Sequence, residues 1–253
     1  AALGEIECRQ GPVLYLAMED TERRLQARLK AVLQGREITD AVEFATEWKA
    51  LDAGGLDDIR TWLEMRPKAR LVIVDTLAKV RAKSNRNEGV YTNDYQAVTP
   101  FKKLADEFGV AIVLIHHLRK EKSDDPLDSV SGSAGLTGAI DTALILRRDP
   151  NQNHGLLYIR GRDVPEQELA LQFDPETGRW LKLGSAEDFR RSQERRAVFR
   201  ALQEIGRPAK PSEIAESMGR KTSGSVRFLI MKMVQAGDLI RTEDGCYRIG
   251  GNI

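Results

Sequence analysis

Three apolar runs constrain the fold of this chain more than any other feature of its 253 residues. They read GPVLYLAME, RLVIVDTL and VAIVLIHHL, and the segments between them include stretches with the spacing of amphipathic helices. Strands that are apolar throughout are buried on both faces, and their alternation with helices is typical of a parallel sheet covered by helices. The sequence therefore predicts an α/β fold with a mostly parallel sheet over residues 1–184.

The composition excludes several classes of protein. Hydrophobic residues make up 41% of the chain and charged residues 30%, as in globular domains. No run approaches the roughly eighteen apolar residues of a membrane span, and we find no secretory signal. The two cysteines, Cys8 and Cys246, are far apart and lack the spacing of a metal site, a usage that suits a reducing compartment. We therefore expect a cytoplasmic protein that does not contact membranes.

Polar residues follow each of the three apolar runs at the point where the predicted strand ends. They are Met18–Asp20, Val74–Thr76 and Ile115–His117. A single strand that ends on an acid is equally well explained by a turn, and Glu19 or Asp20 would also suit the start of the next helix. Ligands of parallel sheets bind at the carboxyl ends of the strands, so three polar ends in one sheet favour a ligand site.

The residue types at these strand ends indicate nucleotide chemistry. An apolar strand that ends on an aspartate is the Walker B arrangement, in which the carboxylate binds Mg²⁺ beside the phosphates, directly or through water. Asp75 takes that position here, with Thr76 next to it on the nucleotide side. Glu19 can polarise an attacking water, and His117 can respond to the γ-phosphate. We therefore predict a site for ATP and Mg²⁺.

The order of these segments resembles a known family. LYLAMED, VIVDTL, VLIHHLRK, SGSAGLTGAIDT and GRDV follow one another as in the RecA-like ATPases of the RepA type, which are replication proteins of plasmids, phages and prophages related to the DnaB helicases and KaiC. The resemblance covers roughly residues 10–183. It implies that Glu19 is the catalytic glutamate, Asp75 the Walker B aspartate and His117 the sensor.

The same resemblance implies a working assembly on DNA. The intact parent would be a homo-oligomer, with a hexamer as one form, that couples ATP hydrolysis to translocation on single-stranded DNA or to loading. Arg160 and Arg162 match the arginine element that reaches the nucleotide of a neighbouring subunit. They alternate along a predicted strand and are expected on one face, where an anion site and a plain exposed edge are both possible. The loop Ser131–Gly138 is expected to face DNA, with Ser131, Gly132 and Ser133 as contact residues.

One departure from the family is large. The P-loop, G-x-x-x-x-G-K-[ST], does not occur in the sequence, and GRKTSG at Gly219–Gly224 lacks its spacing. Loss of the P-loop strand would leave unpaired backbone groups in the centre of the sheet. We therefore interpret the sequence as an ATPase truncated at its N-terminus, itself inactive. The alternative is a natural relic that kept the fold and lost the nucleotide chemistry.

The remainder, residues 185–253, differs from the rest of the chain in charge. It carries 13 Lys and Arg against 9 Asp and Glu, a balance of +4, whereas the preceding residues carry 26 against 29, a balance of −3. The pattern predicts three helices, with Ser212 as the cap of the second, and a hairpin around Asp244-Gly245. This order resembles a winged-helix domain.

The third helix of that domain would be the recognition helix of a helix-turn-helix. Four basic residues and no acid lie between positions 220 and 232, which favours binding of duplex DNA through Arg220, Lys221, Arg227 and Lys232. A winged helix that docks on a protein is the alternative for this domain. For the whole chain, the competing hypothesis is a nonenzymatic DNA-binding or regulatory protein on a degenerate RecA-like scaffold.

Overall fold

The protein forms two compact units, Ala1–Leu183 and Gly184–Ile253. The structure, a computed structural model, describes residues 1–37, 41–82, 88–119, 125–130, 134–149, 152–221 and 224–250. Ser131, Gly132 and Ser133, the expected DNA contacts of the core, lie outside the described residues. Within those residues, no helix has both the length and the apolar character needed to cross a membrane.

A four-stranded parallel sheet forms the centre of the first unit. Its strands are β1 (Val13–Ala17), β2 (Val42–Ala45), β3 (Leu71–Asp75) and β4 (Ala111–Leu114), with helices α1 (Glu22–Leu33), α2 (Gly55–Glu64), α3 (Leu77–Val80) and α4 (Val90–Phe108) between them. The strand order is β2-β1-β3-β4. Leu14 and Leu16 on β1 lie opposite Val72 and Val74 on β3, and all four are buried against α2 and α4 in one apolar cluster. The predicted α/β class and parallel core sheet are confirmed.

A second sheet follows in the same unit. After the short helix α5 (Ala134–Ala139) come β5 (Thr142–Arg148), β6 (His154–Gly161), β7 (Gln167–Asp174) and β8 (Arg179–Ser185). They form a separate sheet in chain order, in which β6 is antiparallel to both neighbours. At Gly161 a side chain would meet Thr142 and the carbonyl of Asp141 at 2.5 and 2.9 Å, so β6 ends in close contact with the start of β5.

Both sheets have an apolar strand at an edge. β4 pairs only with β3 among the described residues, and β5 pairs only with β6. Val113 on β4 and Ile115 just after it are each 37% exposed, and Leu144 and Leu146 on β5 are 58% and 40% exposed. Strands of a parallel sheet are normally covered on both faces. The apolar side chains of β4 and β5 therefore have the character of interior strands but lie uncovered at an edge.

The second unit contains three helices and a small antiparallel sheet. They are α6 (Ala186–Ile205), α7 (Pro211–Ser217), α8 (Gly224–Gln235), β9 (Leu239–Arg241) and β10 (Tyr247–Ile249). Val198, Ile214, Ile230 and Met233 are at most 1% exposed and form its core.

Ser212 is not the cap of α7, contrary to the prediction. The helix begins one residue earlier, at Pro211, and Lys210 is its N-cap residue. Proline suits the first helical position because its φ angle is already helical. The Glu213 carboxylate accepts the Lys210 N–H at 2.8 Å and so satisfies the donor at the helix start.

Candidate nucleotide site at the ends of the parallel strands

Backbone pairing brings the ends of β1, β3 and β4 to the same edge of the sheet. Ala17 is the partner of Asp75 in the register, and the Met18 N–H donates to the Asp75 carbonyl at 2.7 Å. On the other side of β3, the Ile115 N–H donates to the Val74 carbonyl at 2.9 Å. Parallel strands place their carboxyl ends together, so the three polar segments named from the sequence are neighbours in space.

Glu19 is the centre of the polar cluster at this edge. Its Oε1 accepts a hydrogen bond from Thr76 Oγ1 at 3.2 Å and lies 3.6 Å from His117 Nε2. Thr76 is 1% exposed, whereas the side chains of Glu19 and His117 are 39% and 71% exposed. The strand ends thus join a buried hydroxyl to a carboxylate and an imidazole that solvent can reach.

Asp75 is held by a residue that the sequence reasoning missed. Tyr15 Oη donates a hydrogen bond to Asp75 Oδ2 at 2.9 Å. Burial raises the pKa of Tyr15 to about 12, and the hydrogen bond and negative charge of Asp75 act in the same direction. The Tyr15 ring also packs against Phe44 on β2, with 5.8 Å between the ring centres.

The strand register explains why Tyr15 and Asp75 meet. Tyr15 lies opposite Ile73, and Asp75 is two residues further along β3 on the same face. Diagonal neighbours on adjacent strands lie within reach of a long aromatic side chain. The alternation of apolar residues on β1 was the available signal, because Leu14 and Leu16 face the core and Tyr15 therefore faces the other side.

Asp20 has a different role from its neighbour Glu19. Its side chain is 3% exposed and forms ion pairs with Arg24, at 3.0 Å, and with Arg28. Thr21 caps α1, since its Oγ1 accepts the Arg24 N–H at 3.4 Å. Asp20 and Thr21 therefore serve the helix, and Glu19 points instead to the strand-end cluster.

The two predicted arginines are not part of this cluster. Arg160, on β6, lies 3.8 Å from carboxylate oxygens of Asp125 and Glu166. Arg162 follows the end of β6, donates to the Gly138 carbonyl at 3.1 Å and lies 3.7 Å from Asp141. Both side chains are about half exposed, at 49% and 60%, and among the described residues they contact neither Glu19 nor Asp75.

The donor atoms at the strand ends suit Mg²⁺ bound by few protein ligands. Tyr15 engages one oxygen of the Asp75 carboxylate, and the nearby side chains of Thr76 and Glu19 offer only oxygen atoms. The described residues contain no group of three acids, histidines or cysteines that could enclose a metal. Mg²⁺ usually keeps several waters and takes one or two carboxylates plus phosphates. The residues present therefore fit the metal side of a nucleotide site, whereas the sequence supplies no P-loop for the phosphates.

Comparison with known proteins agrees with this architecture. The model of the family described as AAA domain matches residues 1–123. A solved ATPase domain of a DnaB-like helicase superposes with a TM-score of 0.56 at 17% identity, over 68% of this chain and 75% of that one. The RadB recombinase gives a TM-score of 0.46 at 14% identity, over 66% of this chain and 77% of that one, and this score is too low to support an argument. No curated protein sequence matches the chain. The likeness to the helicase ATPase domain shows the fold, which is RecA-like.

Proposed function

We propose that residues 1–184 are the greater part of an ATP-hydrolysing core, and that the intact ATPase works on DNA in the replication of a mobile element. One observation carries this proposal. Glu19 contacts both Thr76 and His117, at 3.2 and 3.6 Å, beside Asp75 at the carboxyl edge of a RecA-like sheet. Ligands of open α/β sheets bind at this edge.

Each residue of the cluster has a proposed task. Asp75 and Thr76 hold the metal side of the nucleotide, and Tyr15 fixes the orientation of the Asp75 carboxylate. Bound Mg²⁺ would neutralise charge on the phosphates. Glu19 is exposed enough to hold and polarise a water molecule, and His117, 3.6 Å away, responds to changes at that carboxylate.

We further propose that a P-loop strand preceding Val13 completes the sheet beside β4. The apolar, uncovered side chains of Val113 and Ile115 support this, since an additional strand and helix would bury them. The alternative is a nonenzymatic DNA-binding or regulatory protein, which the lack of a P-loop in 253 residues favours. The coding sequence upstream of Ala1 separates the two.

The experiment is to read that sequence, express the longer in-frame chain and compare its phosphate release from MgATP with that of residues 1–253. We expect turnover by the longer chain and only background from residues 1–253, because Asp75 alone cannot replace the phosphate cradle. A start codon directly before Ala1, with no P-loop in frame, would favour the nonenzymatic alternative. Steady turnover by residues 1–253 would contradict the proposed division of the site.

Arg160 and Arg162 are proposed to act on the nucleotide of a neighbouring subunit in a homo-oligomer. Their half-exposed side chains and their ion pairs of 3.7 to 3.8 Å with exposed acids leave them able to exchange partners. Exposed pairs of this kind contribute little to stability. Contact between the core and single-stranded DNA through the Ser131–Gly138 loop stays a prediction.

For residues 185–253 we propose a winged-helix domain that binds duplex DNA. Ala209, between α6 and α7, pairs with Tyr247 on β10, so a helix, a short pairing segment, two helices and a hairpin follow one another. Lys221 is exposed just before α8, and Arg227 and Lys232 are exposed on it. Arg220 is already engaged with Glu194, at 3.3 Å.

A further inference from the structure

One side of α8 is buried and the other is open. Val226, Ile230 and Met233 are at most 2% exposed and hold the helix to the core of its unit. On the opposite side, Phe228 is 56% exposed and Met231 is 45% exposed. Two large apolar side chains, three positions apart, therefore lie together on the outer surface of the proposed recognition helix.

The residues around this apolar pair have a defined order. At 3.6 residues per turn, the open side runs from Arg227 through Met231, Gln235 and Phe228 to Lys232, an arc of about 140°. We call these five residues the α8 face. A cation thus stands at each margin, with the apolar pair and an amide between them, and α8 contains no acidic residue. Lys232 Nζ lies 5.5 Å from the centre of the Phe228 ring, so the ammonium group and the ring share one surface.

The α8 face matches the chemistry of a major groove. A helix about 10–12 Å across fits the groove, which is about 12 Å wide and bordered by a phosphate backbone on each side. Arg227 and Lys232 at the two margins suit those backbones. The centre of the face then meets base edges, where the apolar group on offer is the C5-methyl of thymine. A face with cations on both sides and no acid favours this polyanion over a protein partner.

We infer that Phe228 and Met231 recognise thymine methyl groups in duplex DNA, and that α8 therefore prefers sites containing T·A pairs. This rests on the proposed function of residues 185–253. Arg227 and Lys232 supply affinity without sequence preference, because phosphates are alike at every base pair. Phe228 and Met231 supply the preference.

Replacement of thymine by uracil tests the inference, since it removes the methyl group and leaves the hydrogen-bonding edge unchanged. Duplexes selected by residues 1–253 from a randomised pool are made again with uracil for thymine, and affinities are measured by fluorescence anisotropy at low salt. We expect binding to weaken by about fourfold for each recognised methyl group that the replacement removes. Phe228→Ala and Met231→Ala should each bind the thymine duplex more weakly and discriminate less against uracil.

Arg227→Ala is the matched comparison, because it should weaken binding to both duplexes equally and keep the thymine preference. Equal affinity of the unaltered chain for thymine and uracil duplexes would overturn the inference and leave DNA binding intact. Absence of binding to any duplex at low salt would overturn both, and Phe228 and Met231 would then be better explained as a surface for a protein.

Discussion

Tyr15 donates a hydrogen bond to Asp75 from the neighbouring strand, at 2.9 Å, and so fixes one oxygen of the carboxylate at the end of β3. The bond joins a half-buried phenol to the residue with the Walker B position. Orientation of such a carboxylate by a supporting residue is typical of sites that bind metal ions. The bond also ties β1 to β3 where both strands end, and it therefore contributes to stability as well as to the site.

Tyr15→Phe should destabilise the first unit by about 1 kcal/mol, because it removes one hydrogen bond to a charged group that solvent partly reaches. Urea unfolding followed by tryptophan fluorescence measures this, since Trp48, Trp62 and Trp180 all lie in that unit. Tyr95→Phe is the matched control, as its hydroxyl makes no hydrogen bond among the described residues and its side chain is exposed. Equal stability of the two variants would show that the Tyr15 bond contributes nothing.

The strand ends were predictable from sequence because one physical rule places them. Apolar runs that end on Glu19, Asp75 and His117 must bring these residues to the same edge if the strands are parallel, and the structure joins Glu19 to His117. The partner of Asp75 was not predicted, because Tyr15 reaches it only through the register of two strands distant in sequence.

Local choices that depend on tertiary contacts were also missed. Ser212 has the side chain of a helix cap, but Pro211 and the Glu213 carboxylate set the helix start one residue earlier. Arg160 and Arg162 were expected on one strand face. β6 ends at Gly161, in contact with β5, and the two arginines then bind different acids.

Glu213 should titrate below the ordinary range of glutamates. The Arg207 guanidinium, which donates to the carboxylate at 2.6 Å, is the main cause of the lowered pKa, and the Lys210 N–H adds to it. Because the folded-state pKa is lowered, the stabilisation is present above the unfolded value, near about pH 4.3, and is lost as the pH falls through the folded value. NMR titration of the carboxyl carbon should give a midpoint that rises in Arg207→Ala; an ordinary midpoint in both proteins would exclude this pairing.

Duplex binding by the second unit should depend on salt. If about three of its cations neutralise phosphates, log affinity falls with log salt at a slope of roughly −3. Lys221→Ala should weaken binding to all sequences and reduce the slope by about one. Arg220→Ala should change the slope less, because Glu194 already pairs with Arg220. Binding that is indifferent to salt would argue against phosphate contacts.

The arginines can be tested by mixing subunits of the longer, P-loop-containing chain. Arg160→Ala or Arg162→Ala should bind ATP and hydrolyse it poorly if the side chain acts on a neighbour. Mixing either variant with Glu19→Gln subunits should restore part of the turnover, because each subunit then supplies what the other lacks. Lack of rescue in oligomers shown to be mixed would mean that these arginines act within their own subunit or not at all.

The most direct test of the nucleotide site is phosphate release from MgATP by the longer chain carrying Glu19→Gln, measured together with nucleotide binding. We expect turnover to fall by a factor of about 100 or more, since only the water-polarising carboxylate is lost, while ATP affinity is unchanged. Glu22→Gln makes the same chemical change on the exposed first turn of α1 and should leave turnover intact. Retention of most activity by Glu19→Gln would contradict the assignment of the strand-end cluster as a catalytic site.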